Sequence, residues 1–360
     1  MKRFSCARPN EWLPGRQRSV LFVAGAYLIC AGGLSQKLRA ADPAVPSWNR
    51  IGIRAAIEKS IPYLETDGRA WFEGEFDIQE QGCVSCHQVP SAVWSLTHSY
   101  ASVDTADRSQ GKRLLEDAVE FIADPEVGRP AMWAQVLITA KAADQTYSFD
   151  RSLLEHAKSV YLPKILETQQ DDGRWQAKGQ FPSQRRPIKE SDAVITAWMI
   201  VALSSDRSPE VVQSLQKARK YVAKNDGSST EFLAWQMIIE GEQNRRAKQL
   251  SALLEQQLDD GSFGWSDGQP GNVDSTSVVL FALSQFDGNS LTESLHVQCD
   301  SARKNAVAFL LASQQADGIW VERAELITKD PGDSHQYIYQ YWSTAWATLA
   351  LSQTYRTTGY

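Results

Sequence analysis

Beyond about residue 50, apolar residues recur with helical spacing in runs of two alternating kinds. The first kind carries a single stripe. In Gly111 to Ala123, Leu114, Leu115, Ala118, Phe121 and Ile122 share one face, while Lys112, Arg113, Glu116 and Asp117 turn away. Pro209 to Ala223 is a second case, with Ser208 placed as N-cap and Pro209 in the first turn. The second kind is apolar nearly all round, as in Ala193 to Leu203, Val278 to Leu283 and Thr344 to Leu351, and so needs packing on every side. Striped runs start near Ile51, Gly111, Ser152, Ser208, Gln243 and Ala302. Each is followed by an all-round run, starting near Pro90, Ala131, Asp192, Thr230, Val273 and Trp342. Six such hairpins close into an all-α (α/α)6 toroid, with the all-round helices inside and the striped helices outside, leaving no apolar face bare. Pro62 and Pro163 fall late in the first and third outer runs and are expected to kink or end them.

A chain of 360 residues with 42% apolar content buries a large core, and a net charge of -6 lacks the Lys and Arg excess that a nucleic-acid partner demands. The N-terminus places Lys2, Arg3, Arg8, Arg16 and Arg18 before an apolar run from Val20 to Leu34, too short for a typical membrane span. Residues 1–41 therefore read as an export signal cleaved near Ala40 or Ala41, or as an N-terminal anchor if uncleaved, the one case giving a membrane contact. Cys30 invites a lipoprotein reading, but Ile29 stands where such a signal wants a small residue. Residues 42–360 then form a single toroid in the periplasm or another extracytoplasmic space. Cys6 and Cys30 fall inside the export segment, so Cys83, Cys86 and Cys299 remain, too few to staple a domain of this size.

After three outer runs the sequence reads QQDDGRW (Gln169 to Trp175), QQLDDGSFGW (Gln256 to Trp265) and QQADGIW (Gln314 to Trp320), with a degenerate NDG at Asn225 to Gly227. Asp-Gly makes a tight turn, and Gln and Trp can tie a helix end to the next hairpin. These segments resemble the QW repeats of squalene and hopene cyclases. The inner runs DAVITAWMIVAL, NVDSTSVVLFAL and YWSTAWATLAL also resemble the terpenoid cyclase and protein prenyltransferase superfamily, closely over residues 150–355 and loosely over 50–150. The resemblance implies the toroid but not the chemistry. The DxDD run of the cyclases is absent. The zinc positions of prenyltransferases correspond to Asp274, Thr276 and Tyr341, with His335 out of register, so no zinc is expected. The thioester pattern of complement-like toroids fails too, since Gln88 is not three residues after Cys83.

Cys83-Val84-Ser85-Cys86-His87 has the spacing of c-type haem attachment, in which two thiols hold the porphyrin and the imidazole binds iron. Export agrees with this. A Cys83 to Cys86 disulfide, or a metal site with His87, is the alternative. The motif falls in the first outer-to-inner loop, on the rim that also carries Arg174 to Lys189 and Ala316 to Tyr341. His335, Met132 or His98 would supply a sixth ligand, or the iron would stay five-coordinate.

Trp94, Trp133, Trp198, Trp235 and the pair Trp342 and Trp346 sit on inner runs, where they either line an apolar ligand cavity, with Tyr341, or fill the core. Asp192 and Asp274 open inner helices, as caps or as cavity acids. His98, His156 and His296 read as surface or packing residues, and Cys299 as a free thiol. Together these features lead to the expectation of an exported haem c protein, with a redox or electron-transfer role beside an apolar cavity and a redox partner protein. The alternatives are a haem-free protein that binds or modifies isoprenoid lipids, or an interaction module. Toroids that act on polysaccharides need paired acids at the central mouth, for which the sequence offers only scattered Asp192, Asp274 and Asp333.

Overall fold

A computed structural model describes residues 50–73, 85–103, 108–123, 129–146, 151–177, 187–285, 292–322 and 333–357. They belong to one unit, Ser47–Tyr360. Among them run twelve helices: α1 Arg50–Glu73, α2 Ser85–Ser102, α3 Ser109–Ala123, α4 Pro130–Thr146, α5 Arg151–Thr168, α6 Ile188–Leu203, α7 Pro209–Ala223, α8 Thr230–Ile239, α9 Gln243–Leu254, α10 Val273–Ser284, α11 Glu293–Ser313 and α12 Asp333–Thr357. The even-numbered helices pack in a closed cycle, α2 on α4, α4 on α6 and so on to α12, which returns to α2. The odd-numbered helices lie outside, and α11 returns to α1. This is the (α/α)6 toroid that the alternating runs predict. No described helix is long and apolar enough to cross a membrane.

Burial follows the two patterns. In α3, Leu114, Leu115 and Ala118 are buried and Lys112 and Arg113 exposed, whereas α10 is buried along its whole length. Pro62 and Pro163 end nothing: each lies inside its helix, on the exposed side, where water solvates the carbonyl that loses its N–H partner. Ser208 is the N-cap of α7, but its hydroxyl donates to Asp206 instead of accepting from the helix.

The three Gln-Asp-Gly turns repeat one hydrogen-bond scheme. After α5, the Gln169 amide donates to the Gly173 carbonyl at 2.9 Å and to the Ser214 carbonyl of α7 at 3.0 Å. After α9, Gln257 does the same with Gly261 and with Ala302 of α11. After α11, Gln314 binds Gly318 and Ala56 of α1, closing the outer ring. Each turn also reaches inward, because the Thr196, Thr276 and Thr344 hydroxyls accept from the N–H of Trp175, Phe263 and Trp320. The Trp175 and Trp320 indoles donate to the Ile165 and Leu310 carbonyls, both at 2.8 Å. Phe263, not Trp265, holds the equivalent place in the second turn. The scaffold thus tolerates Phe there. Trp320→Phe, which leaves the Leu310 carbonyl without its donor, is expected to cost about 1–2 kcal/mol in denaturant unfolding without loss of the fold.

Candidate functional site

Five rings from five inner helices meet at the middle of the toroid: Trp94 of α2, Trp198 of α6, Trp235 of α8, Phe281 of α10 and Trp346 of α12. Centroid separations run from 5.4 Å for Trp94 and Trp346 to 6.5 Å for Trp235 and Trp346, most of them edge-on or tilted. Such pairs add about 0.5–1.5 kcal/mol each beyond burial. The expected apolar cavity is therefore largely filled, by Phe281 together with Trp94, Trp198, Trp235 and Trp346 from among the residues assigned to line it, and the plug separates two mouths.

The first mouth is at the N-terminal ends of the inner helices. Glu231, Trp265, Asp274, Val278, Tyr339, Trp342 and Trp346 line a narrow pocket there. Asp274 and Glu231 are each the second residue of their helices, α10 and α8. Asp274 is 3% exposed, and one of its carboxylate oxygens has no hydrogen-bond partner among the described residues. Burial first, and then the neighbouring Glu322 carboxylate, raise its pKa well above the ordinary carboxylate range. The Ser343 hydroxyl opposes this to a smaller extent. The positive end of α10 favours the anion, so burial outweighs the helix dipole. Glu322, itself buried, is fixed by the Val273 N–H at 2.6 Å. Tyr339 and Trp342, one turn apart on α12, stack side by side along the pocket wall, with centroids 6.5 Å apart and planes 13° apart.

Several expectations are corrected here. Asp274 is not a cap, since Asn272 takes the Ser275 N–H. Asp192 is neither a cap nor a pocket acid: it accepts from the Ala177 N–H at 2.7 Å, pairs with Arg174 at 3.5 Å and so holds the first turn. Tyr341 faces outward, donating to the Leu64 carbonyl of α1 and packing on Tyr63, while its neighbour Trp342 faces the pocket. Trp133 and Met132 are buried in the core. Glu231 and Glu322, which sequence reasoning passed over, supply the acids that Asp274 lacked. Glu231 was legible as a carboxylate in the first turn of an inner helix, as Asp274 is. Glu322 carries no local signal, because only the fold brings it from the end of the third turn to α10.

Cys83 lies outside the described residues. Cys86 and His87 fall in the first turn of α2 and His335 in that of α12, and their side chains, like that of Asp333, also lie outside. His98 packs on Phe281 at the second mouth, and burial followed by the Arg356 guanidinium pushes its imidazole down to about 3, with Gln353 opposing. Among the described residues no group of three or more His, Cys, Asp or Glu is placed to hold a metal ion.

Neither a protein-family model nor a curated protein matches the chain. Solved structures do. An unsaturated glucuronyl hydrolase from Streptococcus agalactiae matches with a TM-score of 0.57 at 12% identity, covering 85% of this chain and 92% of that one. An unsaturated glucuronyl hydrolase specific for heparin matches at 0.56 and 9% identity, covering 85% and 97%. A polysaccharide lyase matches at 0.51 and 12% identity, also covering 85% and 97%. At these identities the likeness establishes the α/α toroid. It also corrects the functional expectation. The toroids this chain superposes on act on glycans, which overturns the reading as a haem redox protein and equally its isoprenoid and interaction-module alternatives. The plugged centre agrees with that correction, since five rings of the described inner helices fill the middle of the toroid.

Proposed function

We propose that this chain is an exported glycan-cleaving enzyme with Asp274 as its proton donor. The observation that carries the reading is a buried carboxyl whose pKa is raised by burial and by Glu322, with one oxygen lacking a hydrogen-bond partner among the described residues, beside a second carboxylate in an aromatic-walled pocket. Glycoside hydrolysis uses such a pair, one acid kept neutral by its surroundings and one base. In this scheme Asp274 protonates the leaving glycosidic oxygen as the bond to the anomeric carbon breaks. Glu231, on the same pocket, takes a proton from the water that adds to that carbon, and solvent returns the proton to Asp274. Glu322 keeps Asp274 protonated. Trp265, Trp342 and Tyr339 give sugar rings apolar faces to stack on.

The pocket as it stands has room for about one water molecule, so admission of a sugar requires Tyr339 and Trp342 to turn aside. Oligosaccharides containing uronic acid are the first substrates to try, because the matched hydrolases act on glucuronyl groups. A location outside the cytoplasm, expected from residues 1–41, suits polymeric glycans. The kinship to terpenoid cyclases and prenyltransferases is, on this proposal, one of turn architecture without shared chemistry.

The test is capture by an inactive variant. Asp274→Asn mixed with oligosaccharides from acidic polysaccharides is expected to retain one oligosaccharide per chain in native mass spectrometry. Absence of any retained sugar, with the variant folded, overturns the proposal.

A further inference from the structure

On the opposite side of the plug, at the C-terminal ends of the inner helices, lies a separate cavity of about 220 Å³. All six inner helices contribute to it. Its floor is aromatic, from Trp94, Trp235 and Phe281, and its polar rim is His98, Lys141, Gln285 and Gln353. At less than the roughly 300–1,000 Å³ of sites for drug-sized ligands, it suits a molecule of about one ring.

The polar inventory selects the ligand chemistry. Trp94 and Trp235 are 2% and 1% exposed, and their indole N–H groups have no acceptor among the described residues. Both nitrogens are closed to a water-sized molecule, so the two rings offer the cavity an apolar surface and no donor. Among the described residues the lining holds one cation, Lys141, and no acid. Lys141 donates to the Ser204 hydroxyl at 3.3 Å, and burial followed by Lys158 lowers its pKa, so an incoming anion would relieve both effects. Arg356 adds positive potential near His98, against the negative ends of the inner helices.

We propose that this cavity binds a single-ring carboxylate, with the ring on the Trp94, Trp235 and Phe281 floor and the carboxylate toward Lys141. The amides of Gln285 and Gln353 favour a ring bearing hydroxyl groups, hence a sugar acid over an aryl acid. The site stands on its own lining and does not depend on the reading of the other mouth.

Calorimetric titration of the full chain with glucuronate, benzoate and glucose tests it. Glucuronate is expected to bind, benzoate more weakly, and glucose at least tenfold more weakly than glucuronate. Lys141→Met, which removes the charge and keeps the chain length, is expected to weaken glucuronate at least tenfold, and Ala142→Phe, which fills the space without altering charge, to abolish binding. Asp274→Asn, at the far mouth, is expected to leave it unchanged. Tighter benzoate than glucuronate would keep the site and make the aryl acid its ligand. No carboxylate binding, equal binding of glucose, or binding lost in Asp274→Asn and kept in Lys141→Met would overturn the proposal.

Discussion

Replacing Asp274 by Asn is expected to raise the melting temperature at neutral pH while lowering any glycan cleavage by roughly 10²–10⁴-fold, the usual contribution of a positioned general acid. Both effects come from the same cause. The folded chain binds the Asp274 proton more tightly than the unfolded chain does, because burial and Glu322 disfavour the anion. A group raised in this way contributes stability that is complete below its unfolded value, about 3.9, and lost as pH climbs through its folded value. The isosteric amide does not ionise and escapes that loss. Every tenfold gain in proton affinity on folding corresponds to about 1.4 kcal/mol, so a rise of about 2 °C or more at neutral pH is expected. The difference should close as pH falls through the ordinary carboxylate range. Melting curves from about pH 3 to about pH 9 give the sign directly, and a variant less stable at every pH would show that Asp274 is a structural anchor instead. Activity should likewise decline as pH rises and strips the proton from Asp274.

Gly318→Ala is expected to be the most damaging small substitution in the scaffold, costing about 3–5 kcal/mol, against about 1–2 kcal/mol for Gly268→Ala. Both glycines have positive φ, 91° at Gly318 and 70° at Gly268. They differ in surroundings. A methyl group on Gly268 meets nothing within 4 Å, whereas on Gly318 it would run into the backbone carbonyl of Lys59. That close approach is where the third Gln-Asp-Gly turn meets α1 and where Gln314 binds Ala56, so the clash strikes the seam that closes the outer ring. Denaturant unfolding of the two variants separates backbone strain, common to both, from loss of ring closure, specific to one. Equal costs would show that the seam contributes little.

How far the sequence revealed this molecule depended on the range of the interaction. Helix starts came within a few residues wherever a stripe or an apolar run began sharply. Gln243 and Thr230 start their helices as expected, and Ile51, Gly111 and Ser152 lie within two residues of the observed starts. The sixth hairpin was read too short at both helices. Helix α11 begins at Glu293, not near Ala302, and α12 at Asp333, not near Trp342, because the first turns of both are polar and carry no stripe. The turns showed themselves through Asp-Gly, but which aromatic residue seats in the second turn depended on the Thr276 hydroxyl meeting Phe263, a tertiary fact.

The site was half legible for the same reason. Asp274 stood out as a carboxylate opening an apolar helix. Its partner Glu322 lies 48 residues away and is brought to α10 by the fold, where it accepts from the Val273 N–H. Asp192 looked like Asp274 and does a different job, since the Ala177 N–H and Arg174 occupy its oxygens. Spacing at Cys83 to His87 also led the functional reading astray, since five residues pointed to redox chemistry while the toroid as a whole superposes on proteins that act on glycans. A short motif constrains local chemistry; it says nothing about what surrounds it.

The most direct test of the central claim is to incubate wild-type protein with defined oligosaccharides from heparin and other uronate-containing polysaccharides and read the products by mass. Cleavage with the gain of one water per bond, absent in Asp274→Asn, is the result predicted for a hydrolase working through that carboxyl. Intact oligosaccharides, or cleavage that persists undiminished in the variant, would contradict it.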